Sequence, residues 1–563
     1  MWSDSSQRAT RNAPSAKRIE GTMRTNLIAR AACALAIAFI GVGAIGAGRA
    51  LAHASLEASI PAASSVLETA PPLVVLNFDE DIEVPLSSIQ LFDQTGKIVP
   101  LGSPTAGGDT TIVQSTVPTI GNGLYAVVWR VTSSDGHVID GAFSFQVGTA
   151  IAGDSAKLLD TVLHGSHAAP VVGRTSGVAR FGAFFGASIL LGGLFMVMMA
   201  GGEAVHGWAA RRLLWLGWGL LAVGSLANFG LLGATSKAGS LGDMLDTSLW
   251  GDVAGTRTGG LLVARFVLIA LFVPVVMFVN RKQAAWWPIA APFLGLLTIF
   301  TFSAAGHSSV AEQAALWIGV DAVHLAFVVL WLGSLVMLAV GGGAWTRDTQ
   351  FAGAVKGFSR VATIGIPLII ATGFAQTWRL GASLSTLTDT TWGRLLLAKV
   401  AIAVLMVTIG AASRWLLSHE GPGALRRLVF TEAVCGIAVL GLAAGLVTQP
   451  PTVAPAAKVF TASLTESGLI AEVSLAPGRV GVNDVHLVVT PSGGSLVPVV
   501  SIKATMSLPA QQILDTEVTL AAEGTNHYSG KVTLPFAGDW VLKITIEPVA
   551  GQSVVLNSAV VIP

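Results

Sequence analysis

Cysteine and charge are the two things this chain has little of. Two cysteines occur in 563 residues, Cys33 and Cys435. Cys33 falls in a segment expected to be removed, which excludes an intrachain disulfide and any multi-cysteine zinc or iron–sulfur site in the mature chain. Charged residues make up 12% of the sequence, about half the usual share, and the mean hydropathy is +0.68. Such a chain lies mostly in a lipid bilayer. A formal net charge of +1 gives no reason to expect a nucleic-acid partner. No hydrolytic triad and no glycine-rich phosphate loop is present, so nothing here would bind ATP. At this length several domains are expected.

What is present begins with an export signal. Residues 1–22 are polar, and Met23 reads as a start, followed by Arg24 and Arg30 and an apolar run from Ala31 to Ala47. Ala50-Leu51-Ala52 is a cleavage site of the Ala-x-Ala type. Cutting after Ala52 makes His53 the mature N-terminus, where the free amine and the imidazole can chelate one ion. His137 offers a third nitrogen, and Asp135, two residues earlier, offers oxygen. Nitrogen-rich tetragonal sites of this kind suit Cu(II).

Residues 53–149 alternate apolar and polar residues between turns, as in 73–78, 88–92, 124–129 and 142–147, and predict a β-sandwich or barrel. Residues 150–172 form a linker in which His164 and His167 are either a transient metal pair or solvated polar sequence. Eight apolar runs of spanning length follow, at 176–200, 212–233, 259–280, 286–305, 317–341, 361–379, 394–413 and 427–447. With the first β-domain outside, the inner loops carry Arg211, Arg212, Arg281, Lys282, Arg347, Lys356, Arg360, Arg414, Arg426 and Arg427. The outer segments carry fewer basic residues, which fits the positive-inside rule and puts both ends of the protein outside. Leu190-Leu191-Gly192-Gly193-Leu194 matches Trp331-Leu332-Gly333-Ser334-Leu335, and Ser248-Leu249-Trp250-Gly251 before Arg265 echoes Thr390-Thr391-Trp392-Gly393 before Lys399. Two parallel four-helix repeats are expected.

Polar residues inside spans mark pathways or paired sites. Asp321 and His324 share one face of the fifth span, and His307 stands at the end of the fourth, so these three form a candidate relay. An Asp321–His324 pair that fixes packing is the competing reading. Met196, Met198 and Met199 would suit departing Cu(I), although methionine on an apolar helix is more often packing. The expected domains are 1–52 extension and signal peptide, 53–149 copper-binding β-domain, 150–172 linker, 173–448 multi-pass membrane domain and 449–563 extracytoplasmic β-domain. In the last of these, His486, Met506 and His527 are the metal-capable soft or borderline side chains.

Three resemblances sharpen this reading. His53, Pro61, Phe78-Asp79-Glu80, Tyr125-x-Val127-x-Trp129 and Ser134-Asp135-Gly136-His137 before Gly141-x-Phe143-x-Phe145 resemble the periplasmic copper-binding CopC family. The resemblance implies Cu(II) ligands at His53, Asp135 and His137, with an acidic residue at Glu80 assisting. No methionine lies between His53 and Phe195, which argues against a thioether Cu(I) site in this domain. Gly306-His307, Asp321-x-x-His324 with Trp331-Leu332-Gly333, and Trp392-Gly393-Arg394-Leu395-Leu396 ending at Lys399 are similar to the CopD family of copper-resistance membrane proteins. Gly538-Asp539-Trp540 resembles small YtkA-like extracytoplasmic domains.

The whole implies an all-β, all-α membrane, all-β protein of the bacterial cytoplasmic membrane. It would import copper and contribute to copper homeostasis and resistance, with the ion, the bilayer and periplasmic copper proteins as its partners. The alternative is a membrane-anchored chaperone that loads partner proteins without moving copper across. A haem oxidoreductase is disfavoured, because His324 is the one histidine at membrane depth.

Overall fold

The computed structural model describes residues 54–562 with breaks, the longer of which are 149–157, 163–169, 201–207, 417–421, 450–459 and 492–498. The signal peptide, His53, His164 and His167 lie outside the described residues. The chain divides into two compact units. One contains the helices, 168–451, together with the short segment Thr132–His137; the other contains 54–131, 138–167 and 452–563.

The N-terminal β-domain is built from two sheets. One holds β1 (Leu56–Ile60), β3 (Leu73–Phe78), β6 (Thr105–Ala106) and β7 (Ile112–Thr116) in the order β1-β3-β7-β6. The other holds β2 (Val66–Leu67), β4 (Ser88–Asp93), β5 (Ile98–Val99), β8 (Gly123–Thr132) and β9 (Val138–Val147) in the order β2-β9-β8-β4-β5. Period-two patterning drives them together: Leu76, Val113, Leu91, Val127 and Phe145, drawn from both sheets, are buried in one core. Phe78 meets Trp129 edge-to-face at 5.3 Å and Tyr125 stacks on Phe145 at 5.6 Å within it.

The C-terminal domain is one eight-stranded antiparallel sheet. Its strands are β10 (Phe460–Glu466), β11 (Leu469–Ala476), β12 (Gly481–Pro491), β13 (Val499–Leu508), β14 (Ile513–Gly524), β15 (His527–Leu534), β16 (Gly538–Pro548) and β17 (Val554–Ile562). The order is β10-β11-β12-β15-β14-β13-β16-β17, and the sheet curls until its edge strands β10 and β17 approach. Alternate residues of every strand fill the interior, with Trp540 the largest side chain buried there.

The helical region repeats one plan. A long helix with a π turn, α1 (Pro170–Ala187, Ser188–Gly192 and Gly193–Met199), is followed by α2 (Trp208–Ser236), the short α3 (Thr247–Ala254), α4 (Arg257–Phe278) and α5 (Trp287–Ser303). The second copy runs α6 (Ala314–Trp345), α7 (Thr349–Arg379), the short α8 (Leu384–Asp389), α9 (Thr391–Leu416) and α10 (Pro422–Leu446). Among the described residues seven helices are long and apolar enough to cross a membrane. The eighth expected span is α5, whose 17 residues rise about 26 Å at 1.5 Å each, slightly less than the hydrocarbon core.

The duplication is visible in backbone contacts. Gly192 of α1 and Gly333 of α6, matched in sequence, pack against each other, and a Cβ on either would meet the other's backbone. Equivalent residues touching in this way mark a local two-fold relation. The later match has a different register from the Trp250–Trp392 echo: Trp250 lies inside α3, whereas Trp392 belongs to the first turn of α9. Capping sets the true correspondence. Thr256 Oγ1 accepts the Gly259 amide at 3.0 Å and Thr390 Oγ1 accepts the Gly393 amide at 2.8 Å. Gly259 lies against the Val253 carbonyl of α3 as Gly393 lies against Leu387 of α8. Arg265 and Lys399 then fall at the same place, six residues after each glycine.

Candidate metal centre

The loop joining β8 to β9 is a tight turn. The Gly136 amide donates to the Ser133 carbonyl at 2.8 Å, the Ser133 amide donates to the His137 carbonyl at 2.8 Å, and Gly136 has φ +84°. Glycine enters that left-handed region at low cost. Inside the turn Asp135 Oδ1 accepts the Ser133 hydroxyl at 2.5 Å and the His137 amide at 3.0 Å. These bonds fix the carboxylate, whose side chain is fully buried.

The turn belongs to the helical unit. Thr258, in the first turn of α4, donates its hydroxyl to the Ser134 carbonyl at 3.3 Å. His137 Nε2–H donates to the carbonyl of Val447, just past α10, at 2.9 Å. That leaves Nδ1 of His137 3.0 Å from Asp135 Oδ1. His307, in the connection between α5 and α6, donates Nδ1–H to Asp135 Oδ2 at 2.6 Å. The two imidazoles stack with centroids 4.4 Å apart and planes 17° from parallel. Among the described residues Asp135, His137 and His307 are the one group of three such donors whose ligand atoms lie within 4.8 Å of one another.

Electrostatics binds the three together. Burial alone would raise the Asp135 carboxyl, but the charge and hydrogen bonds of His137 and His307 outweigh it and hold the group well below the usual carboxylate range. Burial opposes charge on His137 as well, yet the adjacent Asp135 carboxylate raises its imidazole. His307 is lowered by burial and then by the charge on His137. The buried carboxylate thus favours a proton on His137, while burial and the neighbouring His137 disfavour charge on His307. Two nitrogens and a carboxylate at this spacing make a donor set suited to a borderline divalent ion such as Cu(II).

The other candidate residues fall elsewhere. Asp321 of α6 lies close to Ser303 and Gln376, with Lys399 and Arg379 within electrostatic reach. His324, one turn on, sets Nδ1 2.9 Å from Thr372 Oγ1 of α7, and Gly373 leaves room for its ring. Arg379 links the two levels: it donates to the His307 carbonyl at 3.2 Å and sits over the Trp317 ring at 5.2 Å. Met196 is fully buried in the helical core, and Met199 at the end of α1 lies beside Gly357 of α7. Glu80 follows β3 in the turn that leaves it. In the C-terminal domain His486 and His527 come together at 3.0 Å, whereas Met506 is buried in the apolar core. Sequence reasoning placed His307 with Asp321 and His324; its partnership with Asp135, 172 residues away, left no local signal. The roles of Arg379 and the Val447 carbonyl were equally invisible.

Known proteins share this organisation. A family profile described as CopC domain matches residues 56–148. Copper resistance protein D-like, N-terminal domain, matches 175–315, and Copper resistance protein D matches 352–446. The C-terminal domain, expected to be YtkA-like, matches the FixH profile over 461–557. The copper transport protein CutJ of Bacillus subtilis (strain 168) is 26% identical over 466 residues, covering 79% of this chain and 83% of CutJ. Copper resistance protein C of Escherichia coli is 34% identical over 107 residues, 17% of this chain and 83% of the relative. Copper resistance protein D of Pseudomonas syringae pv. tomato is 29% identical over 178 residues, 28% of this chain and 57% of the relative. Among solved structures, CopC from Methylosinus trichosporium OB3b has 34% identity, covers 17% of this chain and 93% of its own, and gives a TM-score of 0.16.

Proposed function

The chain belongs to the CopC family, fused to a CopD-type membrane domain and a FixH-like domain, and from that premise we propose that this multi-pass copper-handling protein captures Cu(II) outside the cytoplasmic membrane and imports it. One observation carries the reading: Asp135 and His137, on the turn after β8, share a single buried cluster with His307 of the membrane region. A capture site whose third donor comes from the helices is already a delivery site.

Residues 53–149 form the capturing domain, on the periplasmic side together with the C-terminal domain, and residues 173–448 form the conducting one. The N-terminal amine and imidazole of His53, exposed by signal cleavage, complete the entrance, with Glu80 in an assisting role. Copper is the cargo. Entering between the two Nδ1 atoms and Asp135, it takes a lone pair from each nitrogen, so an Nδ1 proton on His137 leaves, that ring keeping its Nε2–H, and the Nδ1 proton of His307 shifts to its own Nε2. His307 then holds the ion when the loop ligands release it. Arg379 joins His307 to the level of Asp321, and Asp321 and His324 form the next stage inward. Nothing in the chain suggests drive by bound ATP.

The test is copper flux into proteoliposomes together with Cu(II) binding by the same full-length protein. His137→Ala is expected to lower Cu(II) affinity at least tenfold and to abolish flux. His307→Ala is expected to retain binding through the remaining ligands but lose most flux. Flux that survives in His307→Ala would overturn the shared delivery site. Absent flux in the parent protein, with binding intact, would favour a membrane-anchored chaperone.

A further inference from the structure

The C-terminal domain carries a second pair of converging imidazoles that the relay does not use. In the β12–β15 ladder His486 is opposite Ser529 and Val488 is opposite His527, so the two histidines are diagonal neighbours on one face of the sheet. That face is not the core face: Val485, Leu487 and Val489 of β12 point inward, and His486 and Val488 point the other way. His486 is nevertheless only 7% exposed, a rare setting for an imidazole on the outer surface of a sheet.

The turn before β15 fixes the second histidine. Asn526 has φ +59°, a left-handed backbone that asparagine tolerates better than most residues. Its side-chain oxygen accepts the Val499 amide at 2.9 Å and its carbonyl accepts the Val489 amide at 3.0 Å. His527 therefore enters its strand at a determined place. Nε2 of His527 lies 3.0 Å from Nδ1 of His486, with ring centroids 4.8 Å apart and planes inclined by 45°.

We propose that His486 and His527 form a second Cu(II) site, a cis pair of imidazoles in the C-terminal domain, distinct from the Asp135–His137–His307 cluster. The spacing fits two nitrogens placed cis on one ion. At a metal–nitrogen distance of about 2.0 Å, nitrogens 3.0 Å apart subtend about 97° at the ion. That is close to the right angle of a tetragonal site, whereas a tetrahedral ion would need about 3.3 Å. Without metal the two nitrogens share one N–H donor; with metal that proton moves to the far nitrogen of its own ring, so that both neutral imidazoles turn a lone pair to the ion. Among the described residues no third histidine, cysteine or carboxylate completes a three-donor group there. Asp484, on the same face, is engaged with Lys531 at 3.8 Å. The remaining positions go to water or an incoming ligand, so this is an exchangeable holding site with weaker retention than the three-donor cluster.

The experiment is Cu(II) titration of the full-length protein in nanodiscs, with pulsed electron paramagnetic resonance on the bound ion. His486→Ala and His527→Gln should each remove one Cu(II) equivalent that Asp135→Ala/His137→Ala retains. In that Asp135→Ala/His137→Ala protein, whose C-terminal domain is unaltered, echo modulation should show two equatorial imidazoles, and adding His527→Gln should leave one or none. Unchanged stoichiometry in both His486→Ala and His527→Gln would overturn the proposal. So would fewer than two imidazoles in the Asp135→Ala/His137→Ala protein, leaving the pair as a hydrogen bond. Failure of the proposed relay would change neither result.

Discussion

The two halves of the helical region share one backbone plan and diverge in almost everything attached to it. The apolar stretch of α4 is 39% buried within the protein, while that of its counterpart α9 is 11% buried. Arg265, in α4, is satisfied locally: Nε donates to Thr301 Oγ1 and a terminal nitrogen to the Thr301 carbonyl, both at 2.9 Å, with the guanidinium 3.5 Å from the Phe302 ring. Its counterpart Lys399 instead lies within reach of Asp321 and His324. Where Asp321 and His324 stand in α6, α1 has Arg180 and Ala183. One copy became a packed scaffold with a self-contained cation. The other sets Asp321 and His324 of α6 within reach of Lys399 on α9, the helix whose apolar stretch is little buried in the protein. Duplication supplies two frames, and packing decides which is free to carry chemistry.

The comparison breaks most severely at the contact both halves share. Gly333→Ala would drive a methyl group into the Ser188 carbonyl and the Gly192 backbone, where neither helix can yield. A loss beyond the usual 1–3 kcal/mol of overpacking is expected, seen as reduced monodisperse protein and a lower thermal midpoint. Gly319→Ala on the same helix meets open space and should stabilise by about 0.4–1 kcal/mol. Equal effects at both glycines would refute the close crossing.

A second comparison concerns the charges. Asp321→Ala removes the acidic neighbour of Lys399 within the spanning helices, at a cost of about 3 kcal/mol. Adding Lys399→Met should recover most of it, a coupling visible in a double-mutant cycle of thermal stability. Arg265→Lys in the first half loses the two-pronged bond to Thr301 and should cost about 1–3 kcal/mol, with no acidic partner among the described residues through which to rescue it. Absent coupling between Asp321 and Lys399 would remove the contrast. The smallest effects test the symmetry itself: Thr256→Ala and Thr390→Ala should each cost about 1 kcal/mol, by the same loss of a cap. A large difference between them would show that the two short-helix junctions are not equivalent.

Much of the site was legible residue by residue. Asp135 and His137 sit two apart on a turn whose Asp-Gly step is written in the sequence, and His307 stood out as a histidine ending an apolar span. Their meeting was not legible, because Asp135 and His137 are held against residues far away in sequence, with Thr258, His307 and Val447 among the partners of their turn. Likewise His486 and His527, 41 residues apart, become neighbours only once the β12–β15 register is set. The repeat was visible in its glycines, but its register in the second part was obscured by Trp250 and Trp392, which look alike and occupy different elements.

Sequence alone determined the three-part order, the apolar helical region and the CopC-type pattern of the first domain. Each rests on composition, period or contiguous residues, which the chain carries without folding. Tertiary structure alone decided that His307 joins Asp135 rather than Asp321, that Gly192 touches Gly333, and that two distant histidines face each other. Those depend on which surfaces pack, and packing is a property of separated segments that no local pattern encodes.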